Sequence, residues 1–414
     1  MLNKHTARLG TVLLAAGAAA LLILAPGAPA ARDRASATPV RIWVDKDRRA
    51  AVEKVANAWA ASRGAQVNID EKGFGNIRSD LATVDASQAP DVIVGASDWT
   101  GELAANGSVV QLFPKKAVLK QFPKYALRAY TYRALYGIPV ALENVGLVVN
   151  TSLVKVPKTF AQLEREALAF KRKGGDHIAI SVPQGTGGDA YHMYPFFSGL
   201  CGYIFASSKS GVLNPKKLGI ANPTFLRNAS LIDKWNREGL VNSKVAYNDA
   251  KDAFLKQKAA FWITGPWESD TLKASGLHFR IIQVPKIKCR SVPFLGVQGF
   301  MVTRYASTHG VASLAKDLVA RYMATPSAQR DLAAANGRFP ANTKAGKLVN
   351  DGVLKQFGRA SIGGVPLPNI PQMASVWGDL GGAWVKATKG AGATPARSAF
   401  TTAAKAIATK IASG

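Results

Sequence analysis

Between residues 40 and 95, short apolar runs alternate with helical patterns, and this alternation narrows the choice of fold more than any other feature. Val40 to Val44 reads as a strand, with Trp43 among apolar neighbours. It runs into a charged turn, Asp45-Lys46-Asp47-Arg48-Arg49. Ala50 to Ser62 then places Val52, Val55, Ala56 and Trp59 on one helical face, and Arg63-Gly64 ends that helix. Gln66 to Asp70 is a second strand. Ile77 to about Val84 is a helix, and Ala89 to Gly95 is a third, buried strand. Strand–helix–strand order predicts a parallel α/β sheet. Ligands of such sheets gather beyond the carboxyl ends of the strands. Asp45, Asp47 and Arg48 fall there, as do Ser97, Asp98 and Trp99.

With 414 residues, 48% hydrophobic and 19% charged, the chain has material for a large core and two or three domains. No internal repeat supports a solenoid or propeller. Lys4 and Arg8 precede an uncharged run from Leu9 to Ala25, and Ala28-Pro29-Ala30 supplies small residues for cleavage. Residues 1–30 are therefore expected to be a signal peptide, with 31–39 a linker. The mature protein is expected to be exported, to the periplasm or another extracytoplasmic space. No cysteine near the cleavage site suggests a lipid anchor. The formal charge is +27, yet the basic residues are scattered in groups no denser than Lys171-Arg172-Lys173. That argues against nucleic acid and fits an anionic envelope surface or an acidic medium better. The two cysteines, Cys201 and Cys289, either pair or stay as buried thiols; their spacing does not decide. The histidines show no metal-binding spacing, so neither a metal nor a cofactor is expected.

Further along, Tyr136 to Val140 and Val145 to Asn150 are extended runs joined through Ala141-Leu142-Glu143-Asn144, as if the chain crossed between domains. Phe160 to Lys171 is an amphipathic helix, and Ile178 to Val182 a strand. Gly185 to Asp189 is a flexible loop without the Lys-Ser or Lys-Thr of a phosphate loop. An aromatic cluster, Tyr191, Tyr194, Phe196 and Phe197, follows in a helix. Helices are expected over 223–237, 250–258, 311–324 and 327–336, and strands over 259–264 and 279–284. Phe294 to Thr303 is a second, Gly-rich crossing. In Leu367 to Trp377, two prolines stiffen the approach to a helix covering roughly Met373 to Lys386. Trp377 then sits in its early turns, as a core residue or as a ligand contact. Residues 395–411 form a final surface helix.

Several motifs together resemble the maltose/maltodextrin-binding type of bacterial ABC-importer substrate-binding proteins (extracellular solute-binding family 1). They include Ala89-Pro90-Asp91-Val92-Ile93, Tyr136-Gly137-Ile138-Pro139-Val140-Ala141-Leu142-Glu143, Thr264-Gly265-Pro266-Trp267 and Pro368-Asn369-Ile370-Pro371-Gln372-Met373. Their order and rough spacing hold across the mature chain. The resemblance implies a two-lobed α/β periplasmic-binding-protein fold. Residues 40–141 plus 298–340 would form the first lobe and 145–293 plus 350–414 the second. Residues 142–144 and 294–297 would be hinge crossings. Carried over position by position, Asp45 and Asp47 would bond sugar hydroxyls, with Arg48 where a lysine is usual. Asp98 and Glu143 would be further hydroxyl-binding carboxylates. Asp189 replaces a glutamate, Tyr191 matches a stacking tyrosine, and Trp267 and Trp377 match two stacking aromatics. Gly95, Trp99, Gly378 and Gly381 depart from the pattern, which has tryptophan, arginine, tyrosine and arginine there.

The residue chemistry agrees. Aromatic rings cover the apolar faces of a pyranose, and carboxylates accept its hydroxyls through strong charge-assisted bonds. The expected function is capture of maltose or malto-oligosaccharide by a monomer, with closure of the lobes and delivery to the permease subunits. The alternatives are another oligosaccharide, such as trehalose or another glucan, and, more distantly, a secreted glycosidase using two of Asp98, Glu143 and Asp189. The resemblance points to a binding protein rather than an enzyme.

Overall fold

The computed structural model describes residues 38–208, 211–334 and 337–413. The expected signal peptide, most of the linker and Asn336 lie outside these residues.

The first sheet orders its strands as Phe339–Pro340, Gly137–Glu143, Phe294–Val302, Val92–Ala96, Val40–Val44 and Val67–Glu71. Val40–Val44 pairs in parallel with both of its neighbours, as the alternating pattern requires. Phe294–Val302 runs antiparallel to Val92–Ala96 and to Gly137–Glu143. The sheet is thus mixed rather than parallel throughout. Phe339–Pro340 is also antiparallel to Gly137–Glu143; the long antiparallel member, Phe294–Val302, reaches the sheet without a helix to turn it round. The second sheet is antiparallel, with Gly146–Asn150 between Phe261–Thr264 and Phe279–Ile282. Beside it, Ile178 and Ser181 make only isolated bridges, to Ala259 and Trp262, where a strand over 178–182 was expected.

Side-chain alternation along the second sheet feeds two cores. Leu147, Val149, Phe261 and Ile263 face a large cluster with Phe196, Trp235, Trp384 and Phe400. Val148, Trp262 and Ile281 face the other way, toward Phe254 and Phe357. This is the period-two geometry of a strand buried on both faces. A separate core gathers the first sheet with Trp59, Tyr130, Leu318 and Leu332.

Some element boundaries differ from the apolar periodicity. The first helix is Lys46–Arg63, so most of the expected charged turn is helical. Asp45 is its extended N-cap residue and Asp47 lies in its first turn, where the helix dipole favours negative charge. Gly64, at φ 60°, ends it in the left-handed region. Near the C-terminus, Pro371–Ser375 is a single 3₁₀ turn and the α-helix starts at Trp377 rather than near Met373. The aromatic helix starts at Tyr194, leaving Tyr191 in the approach to it. Residues 223–237 split into Pro223–Asn228 and Ser230–Glu238.

Cys201 and Cys289 form a disulfide with a Cα–Cα distance of 5.3 Å, closing a separation of 88 residues. It staples the end of the aromatic helix to the segment that enters the second crossing. Constraining so long a loop in the unfolded chain is worth about 2–4 kcal/mol. Urea unfolding with and without a thiol reductant checks this: the reduced protein should lose about that much stability, and Cys201→Ser should behave like the reduced form.

Candidate functional site

All nine residues singled out above line one cleft of about 520 Å³: Asp45, Asp47, Arg48, Asp98, Glu143, Asp189, Tyr191, Trp267 and Trp377. Phe74, Arg78, Trp99, His192, Gln298 and Arg338 join them. The cleft draws its walls from both main cores.

On one side, Asp45 and Arg48 are buried and ion-paired to each other, while Asp47 is exposed at the rim. Asp98 follows the strand Val92–Ala96 in a 3₁₀ turn, Ser97–Trp99. Trp99 lies across Gly95: a Cβ at Gly95 would sit 2.7 Å from the Trp99 ring. The two departures from the family pattern therefore compensate, since loss of bulk at 95 makes room for the indole at 99. Phe74 packs against it with centroids 5.0 Å apart, and Arg48 and Arg78 lie over Phe74 and Trp99 respectively. An aromatic wall thus stands on the first-core side, which residue-by-residue carry-over did not reveal. Phe74 had no strand-end or motif signal to mark it.

On the other side, Tyr191, Trp267 and Trp377 are half-buried. Phe294, fully buried in the second crossing, stands behind them, 6.1 Å from the Tyr191 ring and 5.9 Å from the Trp377 ring. Trp267 donates through Nε1 to the Tyr247 hydroxyl at 2.6 Å, and that hydroxyl donates to Glu268 at 2.8 Å. Asp189 accepts from the backbone N–H groups of Tyr191 and His192 and faces the His192 ring at 2.7 Å. Its loop is set by contact with the last helix but one: a Cβ at Gly188 would lie 2.1 Å from the Gly381 carbonyl oxygen. Glycine at 381, another departure, is what allows that approach.

Two contacts join the walls. Trp377 donates through Nε1 to Asp98 at 2.9 Å. Arg338 donates through Nε to Glu143 at 2.7 Å, and its guanidinium lies 5.7 Å from the Trp267 ring centroid. Asn369 adds an anchor nearby, donating to the carbonyls of Arg128 at 2.8 Å and Thr131 at 2.9 Å. The proline-flanked stretch is therefore fixed to the first-core side immediately before it delivers Trp377.

The electrostatics differ from the acidic and aromatic site read in the sequence. Arg48, Arg78 and Arg338 share the cleft with the carboxylates. Buried carboxylates need such counter-charges. Burial pushes the Glu143 carboxyl up, but Arg338 and Arg48 outweigh it and hold it below its ordinary 4.5. Asp189 behaves alike, with burial outweighed by His192, and lies below its ordinary 3.8. Asp98 is raised above 3.8, because burial exceeds the help from Trp377 and Arg78. Of the buried side-chain polar atoms without a hydrogen-bond partner among the described residues, three belong to the cleft lining: Gln298 Oε1, the Tyr191 hydroxyl and His192 Nε2. All three residues line the cleft, so hydroxyl groups of a ligand have donors and acceptors waiting.

These shifts have a sign. Glu143 and Asp189 contribute stability that is complete above their unfolded values and is lost as pH falls through their lower folded values. Asp98 acts oppositely: its contribution is complete below 3.8 and fades as pH rises through its raised value. With two groups against one, urea midpoints should hold from neutral pH down to about 4.5 and fall below it. Arg338→Ala should shrink the part of that acid loss carried by Glu143, since without its largest counter-charge the folded value of that carboxyl rises toward or past the unfolded one.

Residues 54–354 match the family described as bacterial extracellular solute-binding protein. The chain is 27% identical over 397 residues to a maltodextrin-binding protein of Bacillus subtilis (strain 168), spanning 91% of this chain and 90% of the relative. It is 25% identical over 365 residues to a galactooligosaccharide-binding protein of the same organism, spanning 84% of each. A solved structure, the Thermus thermophilus maltotriose binding protein bound with maltotriose, is similar with a TM-score of 0.77 and 26% identity, over 90% of this chain and 100% of that one.

Proposed function

This chain belongs to the bacterial extracellular solute-binding proteins, and we propose that it is the sugar-capturing component of an ABC importer, holding a malto-oligosaccharide in the cleft. The observation that carries this reading is one cavity lined by aromatic faces from both sides, with carboxylates and arginines between them. Phe74 and Trp99 oppose Tyr191, Trp267 and Trp377 across it. A pyranose presents two apolar faces and a belt of hydroxyls, and this arrangement meets both. Trp267 and Trp377 stack on the sugar, as does Tyr191. Asp45, Asp47, Asp98, Glu143 and Asp189 accept hydroxyl donors, and Arg48 donates. Each partnered carboxylate keeps lone pairs for a ligand after bonding its protein partner. Binding would draw the two lobes together about the crossings at 142–144 and 294–297. The closed form would then dock, as a monomer, on membrane permease subunits. The leader over residues 1–30 fits export.

A relative named for galactooligosaccharide favours a second reading in which the same cleft takes a different oligosaccharide. The glycosidase reading is weakened because the relatives are named as binding proteins. A thermal-shift panel decides between the sugars. Ligand at a hundred times Kd stabilises by about 2.7 kcal/mol. Maltotriose or maltotetraose should give the largest shift. A larger shift with a galacto-oligosaccharide would favour the second reading, and no shift with any sugar would refute both.

A further inference from the structure

A second cavity, of about 430 Å³, shares only Glu143 with the cleft. Leu142 and Leu295, one from each crossing, form part of its lining, with Phe339 beside them. Leu354 and Phe357 from the helix Gly352–Ala360 complete an apolar interior. Ile362, 63% exposed, and Tyr125, 39% exposed, stand at its opening. Large apolar side chains left in water around an apolar hollow mark a place where something apolar binds.

The charge around the opening has one sign. Lys355 and Arg359 are exposed residues of the lining, and neither forms a salt bridge among the described residues. Lys355 Nζ rests on the Asn350 side-chain oxygen at 2.8 Å. The lining's single carboxylate, Glu143, is engaged by Arg338 and Gln298. The sequence from Leu103 to Leu142, which supplies Tyr125, contains no acidic residue. From Arg338 to Gly364 the only one is Asp351, ion-paired with Lys273.

We propose that this cavity binds a single-chain anionic amphiphile, with its tail among Leu142, Leu295, Phe339, Leu354 and Phe357 and its head group on Lys355 and Arg359. A neutral sugar would find few polar partners in this interior. A small anion would leave the hollow unfilled. A guanidinium and an ammonium side by side suit a carboxylate or phosphate head through charge-assisted bonds. The volume lies in the range of small-molecule pockets.

Titration calorimetry with hexanoate, octanoate and decanoate, each below its micelle concentration, tests this on the full mature protein. One saturable site is expected, with affinity rising about three- to fourfold per added methylene, the ratio that burying a CH₂ group gives. Decanol should bind at least several-fold more weakly than decanoate. Arg359→Glu together with Lys355→Glu should weaken decanoate at least tenfold while leaving decanol unchanged. Gly358→Phe should block both ligands, because Gly358 lines the cavity and a Cβ there meets nothing within 4 Å, which leaves room for a ring. Unchanged sugar binding by Gly358→Phe would show that its fold is intact. Absence of saturable binding, a flat chain-length series, decanol binding as tightly as decanoate, or wild-type decanoate affinity in Gly358→Phe would each overturn the proposal.

Discussion

Arg338→Ala is expected to lower the unfolding free energy by about 3–5 kcal/mol, the usual cost of removing one partner from a buried ion pair. Arg338 is 7% exposed and Glu143 is 8% exposed, so water screens the pair little. After truncation the Glu143 carboxylate keeps the Gln298 amide at 2.7 Å and the more weakly acting Arg48, but loses the larger of the two charges that compensate its burial. Glu143 ends the strand Gly137–Glu143 at the first crossing, so the damage falls where the two cores meet. The Trp267 ring also loses the cation beside it, worth about 0.5–2 kcal/mol. Sugar affinity should fall with stability. Arg338→Lys should recover part of the stability, because an ammonium keeps the charge but not the planar fork. Replacing both partners, Arg338→Met with Glu143→Leu, should restore most of the stability while leaving sugar binding impaired. Urea unfolding and sugar titration on the same four proteins separate these effects. A loss below about 1 kcal/mol in Arg338→Ala would show that the pair behaves like an exposed one.

The second large effect is on binding. Trp377→Ala should weaken the sugar by about 2–3 kcal/mol, or roughly 30- to 150-fold. The change removes the proposed stacking face and also deprives Asp98 of its indole donor at 2.9 Å. Asp98 is already raised by burial, and without that bond it should be raised further. Trp377→Phe separates the two contributions, since it keeps a ring and drops the N–H. It should fall between wild type and Trp377→Ala, with a binding profile that weakens at higher pH than in the wild type. Trp267→Ala should lose about 1–3 kcal/mol, since in the proposed site Trp267 would offer the sugar its face without bonding a cleft carboxylate. Its Nε1 bonds Tyr247 instead.

Much of this was legible in the sequence because the relevant signals are local. The parallel start of the first sheet follows from the spacing of apolar runs between Val40 and Ala96. The helix Phe160–Lys171 carries its own capping box, Thr159 with Gln162, and falls where the periodicity puts it. Of the nine cleft residues, Asp45, Asp47, Arg48 and Asp98 are marked by the ends of strands, and Glu143, Asp189, Tyr191, Trp267 and Trp377 come from the family resemblance, position by position. What stayed hidden depends on contacts between distant parts of the chain. Arg338 meets Glu143 across 195 positions, and Trp377 meets Asp98 across 279. No periodicity encodes such a pairing. The exchange of bulk between Gly95 and Trp99 looked like two losses in the sequence and becomes one packing solution only in three dimensions. The disulfide was open for the same reason, since two cysteines 88 residues apart carry no mark of their distance in space. The start of the last aromatic helix was misplaced by proline chemistry: Pro371 begins a 3₁₀ turn, and the α-helix waits for Trp377.

The most direct measurement is a calorimetric titration of maltotriose into the mature protein and into Trp377→Ala. Sugar capture in the cleft predicts one saturable site in the wild type and a loss of at least 30-fold in the variant, with the variant still folded by circular dichroism. No binding of any malto-oligosaccharide or galacto-oligosaccharide by the wild type, or wild-type affinity in both Trp377→Ala and Trp267→Ala, would contradict it.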